Sequence, residues 1–394
     1  MTTSADALVI GAGIVGAACA WELARRGLRV EIVAPGPVGG GATAEGMGHL
    51  ILLDDSEAQI ELLKLSMRLW REFGELSAPC ELQYPGTLWV AADDEELAAA
   101  RQRAKSYQEQ GVRAEILDAA ALQEAEPHLR PGLAGGLRVP DDGIVFPPAA
   151  AAELVRRAVD EHGARHRLGR VVQVENESVD RKSHVTLDNG ERLEAGLIVN
   201  AAGIHALDIL SAAPRQEIEV EMVPRKGHLL ITARYPGYCR HQLIELGYLK
   251  SAHGTDDTSV AFNLQPRPNG QLLLGSSRQF GIRDRAIDST VVGRMVRRAL
   301  SYAPTFKDLQ IVRAWTGFRA ATDDHMPLIG AVPDHSGLFM AAGLEGLGVT
   351  AAPAVARLVA DEIEGKPSEI DRSPYQPGRR GISNSRRAPQ KQVA

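Results

Sequence analysis

The chain has 394 residues, of which 44% are hydrophobic, and a formal net charge of -6. This length predicts two or three domain-sized units, and the negative charge argues against general nucleic-acid binding. No apolar run approaches the ~18 residues of a membrane span, and the first one starts too close to Met1 for a signal peptide. The three cysteines, Cys19, Cys80 and Cys239, are scattered, so we expect a cytoplasmic protein without a disulfide framework or a bound metal.

The first motif is an apolar run at residues 7–10 followed by three spaced glycines, Gly11, Gly13 and Gly16. The run predicts a buried strand. Gly11 permits a tight turn, Gly13 lets a pyrophosphate approach the backbone, and Gly16 lets the next helix pack against the strand. The helix predicted at residues 14–26 would direct its free N–H groups at the phosphates. The segment therefore predicts a dinucleotide site, with a glycine-rich turn in another α/β unit as the alternative.

A second strand is predicted at residues 28–33, and Ala34 follows it. Dinucleotide-binding units usually place an Asp or Glu about 20 residues past the glycines to bind the adenosine ribose. Ala34 has no such group, so backbone atoms or water must hold the ribose. The run at residues 39–50 is too rich in glycine for a regular element. It is either a flexible surface loop or a loop that presents backbone N–H groups to a flat or anionic ligand.

The middle of the chain alternates helices with strands. Ser56 and Asp118 are expected helix N-caps, and Pro147 fits the first turn of a helix. Asp188-Asn189-Gly190 is a hairpin signal. Helices are predicted at residues 56–75, 95–110, 119–126 and 147–161, and strands at residues 82–91, 132–139, 170–174, 183–187 and 197–203, the last in the nucleotide sheet.

The pattern changes after residue 217 to alternating segments that predict an antiparallel sheet in a second domain. A later strand, glycine loop and helix at residues 337–364 repeat the geometry of the N-terminal unit, so a ligand that touches both must be longer than a mononucleotide. The basic tail at residues 378–394 has no acid and is expected to be disordered, the alternative being a nucleic-acid or membrane tether. The other elements predicted here are strands at residues 227–232, 259–264, 271–275 and 309–315, the last leading back toward the first sheet, and a helix at residues 289–302.

Four stretches of the sequence occur together in a recognisable combination. They are the GAGIVG glycines, residues 42–47, residues 200–203, and Trp315-Thr316-Gly317-Phe318-Arg319 followed by residues 326–330. The last stretch is similar to a W-x-G-x-R…P-x-x-G signature. Together they resemble the FAD-dependent D-amino-acid oxidase and glycine oxidase family over residues 7–364. Residues 46–50 with residues 54–56 look most like the flavoprotein subunits of D-hydroxyproline dehydrogenases.

The resemblance implies an α/β (α+β) fold in which a Rossmann-like FAD-binding domain is combined with a discontinuous antiparallel-sheet substrate domain. The FAD-binding domain would comprise residues 1–76, 145–215 and 315–366. The substrate-binding domain would comprise residues 77–144 and 216–314, leaving a disordered tail at residues 367–394.

The resemblance also implies roles for individual residues. Arg319 matches the arginine that pairs with the substrate carboxylate, although an ion pair with Asp323 or Asp324 is an alternative for it. The catalytic candidates are Arg319, Met47, His49 and Asn263, and His253 and His325 are further candidate neighbours of the substrate amine. The cofactor-binding residues are Gly11, Gly13, Ile14, Val15, Gly16, Ala42, Thr43, Gly46, Met47, Val171, Ala202, Gly203, Gly343, Leu344, Gly346, Leu347, Gly348, Val349 and Thr350.

Two departures from the family pattern affect the predicted substrate. Glycine oxidases carry a second arginine in the loop that reads Leu344-Glu345-Gly346-Leu347 here, and their pocket tyrosine is absent, with Asn263 near its place. No cysteine or histidine matches a covalent-flavin position, so non-covalent FAD is expected.

The predicted reaction is oxidation of the Cα–N bond of a small D- or cyclic amino acid, of the D-hydroxyproline or D-proline type, to an imine by hydride transfer to flavin N5. A glycine or sarcosine oxidase that uses oxygen is an alternative. So are electron transfer to a partner subunit, a non-catalytic flavin-binding subunit, and an NAD-binding dehydrogenase. The sequence leaves the oligomeric state and the electron acceptor open.

Overall fold

The computed structural model describes residues 5–52, 56–74, 76–177, 182–210, 218–247 and 258–379. Its helices are α1 (Ile14–Arg25), α2 (Ala42–Glu45), α3 (Glu57–Glu72), α4 (Asp94–Glu109), α5 (Ala119–Ala125), α6 (Pro147–His162), α7 (Ser289–Tyr302) and α8 (Gly348–Ile363), with short 3₁₀ helices at Ala78–Cys80, Gly203–His205, Pro304–Asp308 and Ser373–Tyr375. Its strands are β1 (Ala5–Ile10), β2 (Val30–Ala34), β3 (His49–Leu50), β4 (Thr87–Ala91), β5 (Glu115–Asp118), β6 (Gly135–Val139), β7 (Gly143–Ile144), β8 (Arg165–Leu168), β9 (Val171–Glu177), β10 (Lys182–Leu187), β11 (Arg192–Asn200), β12 (Met222–Thr232), β13 (Gln242–Glu245), β14 (Thr258–Pro266), β15 (Leu272–Gln279), β16 (Ile311–Thr322), β17 (Leu328–Ala331) and β18 (Leu338–Ala342).

The first sheet has β1 at its centre. Its order is β17-β18-β11-β1-β2-β8, with the β9–β10 hairpin added beside β11. The pairs that β1 makes with β2 and β11, and β11 with β18, are parallel. Parallel strands are buried on both faces and therefore read as continuous apolar runs, as β1 does. Helices α1, α3, α6 and α8 bury their apolar faces in the core on one side of this sheet. The predicted strand–glycine–helix–strand unit and its parallel sheet are confirmed.

The second sheet has the order β16-β12-β15-β14-β13-β4-β6-β5. All of its neighbours are antiparallel except β4 and β13. Helix α7 covers one face, where the rings of Phe262 and Tyr302 stack with centroids 4.9 Å apart. The predicted antiparallel arrangement of β12, β14 and β15 is confirmed.

Several strand predictions were wrong at their edges. The strand predicted at residues 82–91 begins only at Thr87, because Gly86 adopts a left-handed φ of 78° in the preceding turn. β8 was missed because its residues are mostly polar. It pairs with β2 at an edge of the first sheet, and its Arg167 Nε lies 2.6 Å from Glu31 Oε1. β13 was also missed, because four residues are too few for a clear alternation.

The domain boundary predicted at residue 315 falls inside a strand. β16 was expected to lead back to the first sheet, but it pairs with β12 from Ile311 to Thr322. Gly317 does not interrupt the strand, because it lies opposite Gly227 in an unbroken register. Residues 315–322 therefore belong to the second sheet, and the chain enters the first sheet again only at β17.

The disorder predicted for the tail is wrong for residues 367–379, which are packed against the rest of the protein. Tyr375 is 1% exposed, and its hydroxyl donates to Ala58 O at 2.5 Å. The Arg379 guanidinium binds the Asp324 carboxylate, with Nε 2.7 Å from Oδ2. The rest of the tail lies outside the described residues. Within the described part of the chain, no helix combines the length and apolar character needed to cross a bilayer.

Candidate active site

A cavity of about 820 Å³ lies at the carboxyl ends of β1, β2 and β18 and extends to the strands β12, β14, β15 and β16 of the second sheet. This volume is in the upper part of the range for ligand pockets. Every residue predicted to bind the cofactor lies on the wall of this cavity, and so do the four catalytic candidates. The structure thus brings together residues from both ends of the chain, while their individual roles remain predictions.

The glycines between β1 and α1 allow the backbone to pack more closely than any side chain would permit. A Cβ atom at Gly11, where φ is 103°, would lie 2.5 Å from Ala201 O. One at Gly16 would lie 2.0 Å from Gly11 O. Cβ atoms do not approach other atoms this closely, so these two positions require glycine.

Two helices point their N-termini into the cavity. Gly13 at the start of α1 and Leu347 at the start of α8 provide no side-chain cap. The first N–H of α1, that of Ile14, donates to the Thr43 side chain, with Oγ1 at 3.0 Å. The positive end of a helix dipole favours negative charge. The cavity is therefore suited to an elongated ligand with negative charge at two places.

Arg319 extends from β16 across the second sheet. Its Nη1 donates to Ser277 O at 3.1 Å. A Cβ atom at Gly227 would lie 2.7 Å from this Nη1, and one at Gly346 would lie 3.1 Å from Arg319 Cδ. The absence of side chains at these two glycines leaves the space that the arginine occupies. The two aspartates that were considered as ion-pair partners of Arg319 form other contacts.

Those partners are Asp323 and Asp324. Asp324 binds Arg379, as described above. Asp323 Oδ1 accepts from Glu221 N at 3.2 Å. Both aspartates therefore have partners other than Arg319, which lies on the cavity wall.

The polar side chains on the wall include two uncharged ones, those of His49 and Asn263, with a buried atom that has no hydrogen-bond partner among the described residues. These atoms are Nε2 of His49 and Oδ1 of Asn263. Burial lowers the pKa of His49 to about 4, so its ring is neutral at pH 7. Buried polar atoms without partners are rare and require an explanation, such as a bound ligand. His253, the third histidine suggested by the sequence, lies outside the described residues.

Glu345 is placed where the second arginine of glycine oxidases was expected. It forms an ion pair with Arg225 and accepts from His325 Nδ1 at 2.9 Å. Burial tends to raise the pKa of Glu345, but the hydrogen bond from His325 and the charge of Arg225 hold it below its usual value. The same hydrogen bond raises the pKa of His325. Both Glu345 (φ 42°) and His325 (φ 61°) have left-handed backbones, a strain that clusters at functional sites.

Three polar residues on the second sheet that line the cavity were not predicted from the sequence, Arg225, Ser276 and Arg278. For two of these residues the sequence contains a signal that could have identified them. Ser276 and Arg278 are two residues apart on β15, and side chains two residues apart share one face of a strand. Arg285 and Glu45 were also missed, and they form an ion pair on the wall.

Comparisons with known proteins agree with this geometry. The profile of the family described as DAO, FAD dependent oxidoreductase, matches residues 6–362. The chain is similar to the glycine oxidase of Geobacillus kaustophilus, with 27% identity over 388 residues that cover 95% of this chain and 97% of the relative. The crystal structure of glycine oxidase from that organism has a TM-score of 0.84 at 26% identity and covers 95% and 98% of the two chains.

Two further relatives have other activities in their names. The L-proline dehydrogenase structure from P. horikoshii has a TM-score of 0.84 at 25% identity, covering 96% of this chain and 98% of the other. The hydrogen cyanide synthase subunit HcnC of Pseudomonas aeruginosa is 25% identical over 386 residues, covering 87% of this chain and 88% of the relative.

Proposed function

Because the chain belongs to the DAO family of FAD-dependent oxidoreductases, we propose that it oxidises the Cα–N bond of a small D- or cyclic amino acid to an imine. Amino acids of the D-proline and D-hydroxyproline type are the first candidates. The observation that carries this proposal is the position of Arg319 on the cavity wall. Its guanidinium donates to Ser277 O, and the absence of a side chain at Gly227 leaves the space that it occupies. A guanidinium matches a carboxylate in charge and in its two-donor geometry.

The cavity fits FAD, the cofactor of this family. The N-terminus of α1, with Gly13 in the turn before it, suits the pyrophosphate. The uncapped N-terminus of α8 suits the part of the flavin that becomes negative on reduction. None of the three cysteines, all of which are in the described part of the chain, lines the cavity, which supports non-covalent binding. When bound, FAD supplies the hydride acceptor.

The residues of the chain then bind and orient the substrate. Arg319 would fix the carboxylate so that the Cα–H faces the flavin. Asn263 Oδ1, a buried acceptor, would take an N–H of the substrate amine. The hydrophobic side chains of Met47 and Leu229 line the same region and exclude water. A substrate amine in such a desolvated site loses its extra proton more easily, because burial disfavours the charged form.

Two alternatives each have support. Glycine or sarcosine oxidation is supported by the glycine oxidase relatives. Electron transfer to a partner subunit instead of oxygen is supported by the relative named as a synthase subunit. A non-catalytic flavin subunit is disfavoured by the retention of Arg319. The cytoplasmic location remains a proposal that rests on the three separate, buried cysteines.

Anaerobic reduction of the bound flavin by a panel of amino acids tests the proposal. D-Proline, D-hydroxyproline, glycine and sarcosine should be included, and bleaching of the flavin absorbance identifies substrates. The Arg319→Leu variant should keep its FAD. Its transition state for oxidation of the best substrate should be less stable by about 2–5 kcal/mol, because one partner of a desolvated ion pair is lost. Arg319→Lys should recover part of the rate, since an ammonium lacks the planar two-donor geometry.

Arg313→Leu is the matched control, because Arg313 is exposed on the same strand. It should leave both the FAD content and the reduction rate unchanged. If Arg319→Leu were reduced at the wild-type rate and half-saturating concentration, Arg319 would not bind the substrate carboxylate. If no amino acid bleached the wild-type flavin, the proposed reaction would be wrong.

A further inference from the structure

The pairing of β12 with β15 is irregular where these strands reach the cavity wall. The register shifts between Lys226 and Leu230. As a result, residues 227–229 of β12 face residues 275–278 of β15. Three residues lie opposite four, which is the arrangement of a β-bulge, and bulges next to active sites change the direction of groups on the strand. This bulge contains Ser277.

Ser277 uses its side chain and its backbone for different partners. Its Oγ accepts from the backbone N–H of His228 at 2.8 Å, a kind of donor that ordinarily bonds to a carbonyl of the neighbouring strand. Its own carbonyl accepts from Arg319 Nη1 at 3.1 Å and would lie 3.0 Å from a Cβ atom at Gly227. The hydroxyl thus serves as the acceptor between the two strands, and the carbonyl is directed at the guanidinium.

His228 lies on the face of the second sheet that is turned away from the cavity. Gly227 and Leu229, its neighbours on β12, line the cavity, and successive side chains of a strand point to opposite faces. The His228 side chain therefore points towards α7, where its Nε2 accepts from the backbone N–H of Asp288, the N-cap residue, at 3.1 Å. His228 is 1% exposed, so it acts on the cavity only through its neighbours.

The hydrogen bonds of His228 define which ring nitrogen carries the proton. Burial and the charge of Lys226 hold the pKa of His228 below its usual value, although Asp288 and Asp284 act in the opposite direction. The ring is therefore neutral at pH 7. Because Nε2 accepts a hydrogen bond, the proton is on Nδ1, which lies 3.0 Å from Ser277 Oγ. The backbone N–H and the ring of His228 thus both donate to the Ser277 hydroxyl.

We propose that His228 and Ser277 are positioning residues that set the direction of the Arg319 guanidinium in the carboxylate site. The two donors of His228 fix the Ser277 side chain, and the carbonyl of the same residue is thereby held towards Arg319 Nη1. A guanidinium binds a carboxylate through two parallel N–H donors only when its plane is correctly oriented. The inference rests on the proposed role of Arg319, and it extends substrate recognition to the face of the sheet that α7 covers.

The test measures carboxylate binding without requiring oxidation. Pyrrole-2-carboxylate and pyrrole-2-carboxamide, which have no Cα–H to oxidise, are titrated into the FAD-loaded enzyme, and the change in the flavin spectrum gives both dissociation constants. The wild type should bind the carboxylate about 30-fold or more tightly than the amide, because Arg319 pairs with the carboxylate. Ser277→Ala should reduce this ratio about 3- to 10-fold, the effect of one lost hydrogen bond, and leave amide binding within about twofold.

Thr232→Val is the matched control for the serine. The Thr232 hydroxyl also accepts a backbone N–H between β12 and β15, that of Leu272 at 3.0 Å, but Thr232 is not among the residues that line the cavity. Both variants should lower the unfolding temperature, since each leaves a buried donor without its acceptor. Only Ser277→Ala should lower the ratio of the two dissociation constants.

Two substitutions of the histidine separate its ring contacts. His228→Gln can accept at the position of Nε2 but cannot donate from the position of Nδ1, so it should lower the ratio as Ser277→Ala does. His228→Asn can donate from the position of Nδ1 and should recover most of the wild-type ratio. If Ser277→Ala does not fold, these two variants decide the test, and equal ratios in them would overturn the inference.

The outcomes distinguish this inference from the proposed function. An unchanged ratio in Ser277→Ala and His228→Gln would overturn the positioning role and leave the role of Arg319 intact. An equal fall of the ratio in Thr232→Val would indicate a general loosening of the second sheet and would also overturn it. If the wild type did not prefer the carboxylate, or if Arg319→Leu kept the preference, Arg319 would not be the carboxylate site and both proposals would fail.

Discussion

Gly16 and Gly293 are both glycines inside helices, but an added methyl group would meet different surroundings at the two positions. In α1 the Cβ atom of residue 16 would lie 2.0 Å from Gly11 O, whereas in α7 the nearest atom to the Cβ atom of residue 293 is Arg297 Nη1 at 3.5 Å. Gly16→Ala should therefore lower the free energy of unfolding by about 1–3 kcal/mol through overpacking. Gly293→Ala should raise it by about 0.5–1 kcal/mol, because alanine loses less conformational entropy in a helix.

Urea unfolding of the two variants at saturating FAD gives both values. The N-terminus of α1 also faces the proposed pyrophosphate position, so FAD release from Gly16→Ala should accompany the loss of stability. If both variants changed the free energy of unfolding by the same amount and in the same direction, the close approach of Gly11 O would not be the reason that residue 16 is glycine.

Asp142 is a buried acid that is not among the residues lining the cavity. It is 1% exposed, and burial raises its pKa to about 8. The folded state therefore binds a proton that the unfolded state, with a pKa near 3.8, has lost. Stability from this group falls as the pH rises from about 4 to about 8, with a limiting slope of about 1.4 kcal/mol per pH unit. Asp142→Asn should remove this slope, so the variant gains stability relative to the wild type as the pH increases from 5 to 8.

Asp141→Asn provides the control for this pH series. The hydrogen bonds from Arg113 hold the pKa of Asp141 below its usual value, so its contribution is constant above pH 5 and is lost only in acid. The measurement is the free energy of unfolding of each variant at several pH values. If the free energies of unfolding of the wild type and Asp142→Asn differed by a constant amount between pH 5 and 8, Asp142 would be ionised throughout this range.

The sequence predicts the place in the fold of residues that belong to local motifs. Gly11, Gly13 and Gly16 occupy a turn whose geometry depends on neighbouring positions alone, so the motif itself predicts their location. Arg278 could not be placed in this way. Its position on the cavity wall depends on the pairing of β15 with β12 and of β12 with β16, which joins residues distant in the chain.

At the scale of elements, helices were predicted better than strands. α7 was predicted at its observed bounds, because Asp288 caps it and its apolar residues recur at helical spacing. Edge strands such as β8 carry no apolar alternation, and only their sheet neighbours make them strands. β16 was divided at residue 315 because a family signature begins there, although the backbone pairing continues to Thr322.

The segment after α8 is anchored by one arginine. Arg379 donates to the Asp324 carboxylate and to the carbonyls of Met326 and Pro327, just before β17. The side chains of Arg379 and Asp324 are 12% and 6% exposed. Breaking a buried pair of this kind leaves an uncompensated charge, so Arg379→Ala should lower the free energy of unfolding by about 3 kcal/mol.

Arg372→Ala is the control in the same segment. Arg372 lies 4.0 Å from Glu362 and is more exposed, so its loss should cost about 1 kcal/mol or less. Urea unfolding of both variants provides the comparison. Similar small losses would show that residues 367–379 contribute little to the stability of the folded chain.

At the scale of the whole molecule, the cavity is assembled by segments that are far apart in sequence. The first sheet contributes strand ends and helix N-termini, and the second contributes arginines on strand faces. The sequence predicted this division because the apolar pattern changes near residue 217. It did not predict which face of the second sheet would line the cavity, because a strand's alternation does not show which of its two faces meets the ligand.

The position of β1 at the centre of the first sheet has a consequence for biosynthesis. β2 follows β1 closely, but the strand on its other side, β11, begins only at Arg192, and β18 and α8 complete the layer near the end of the chain. At ~5–20 residues per second, one apolar edge of β1 leaves the ribosome roughly 9–36 seconds before its partner does. The nascent chain therefore needs protection of this edge during translation, and FAD can stabilise the fold only once synthesis is nearly finished.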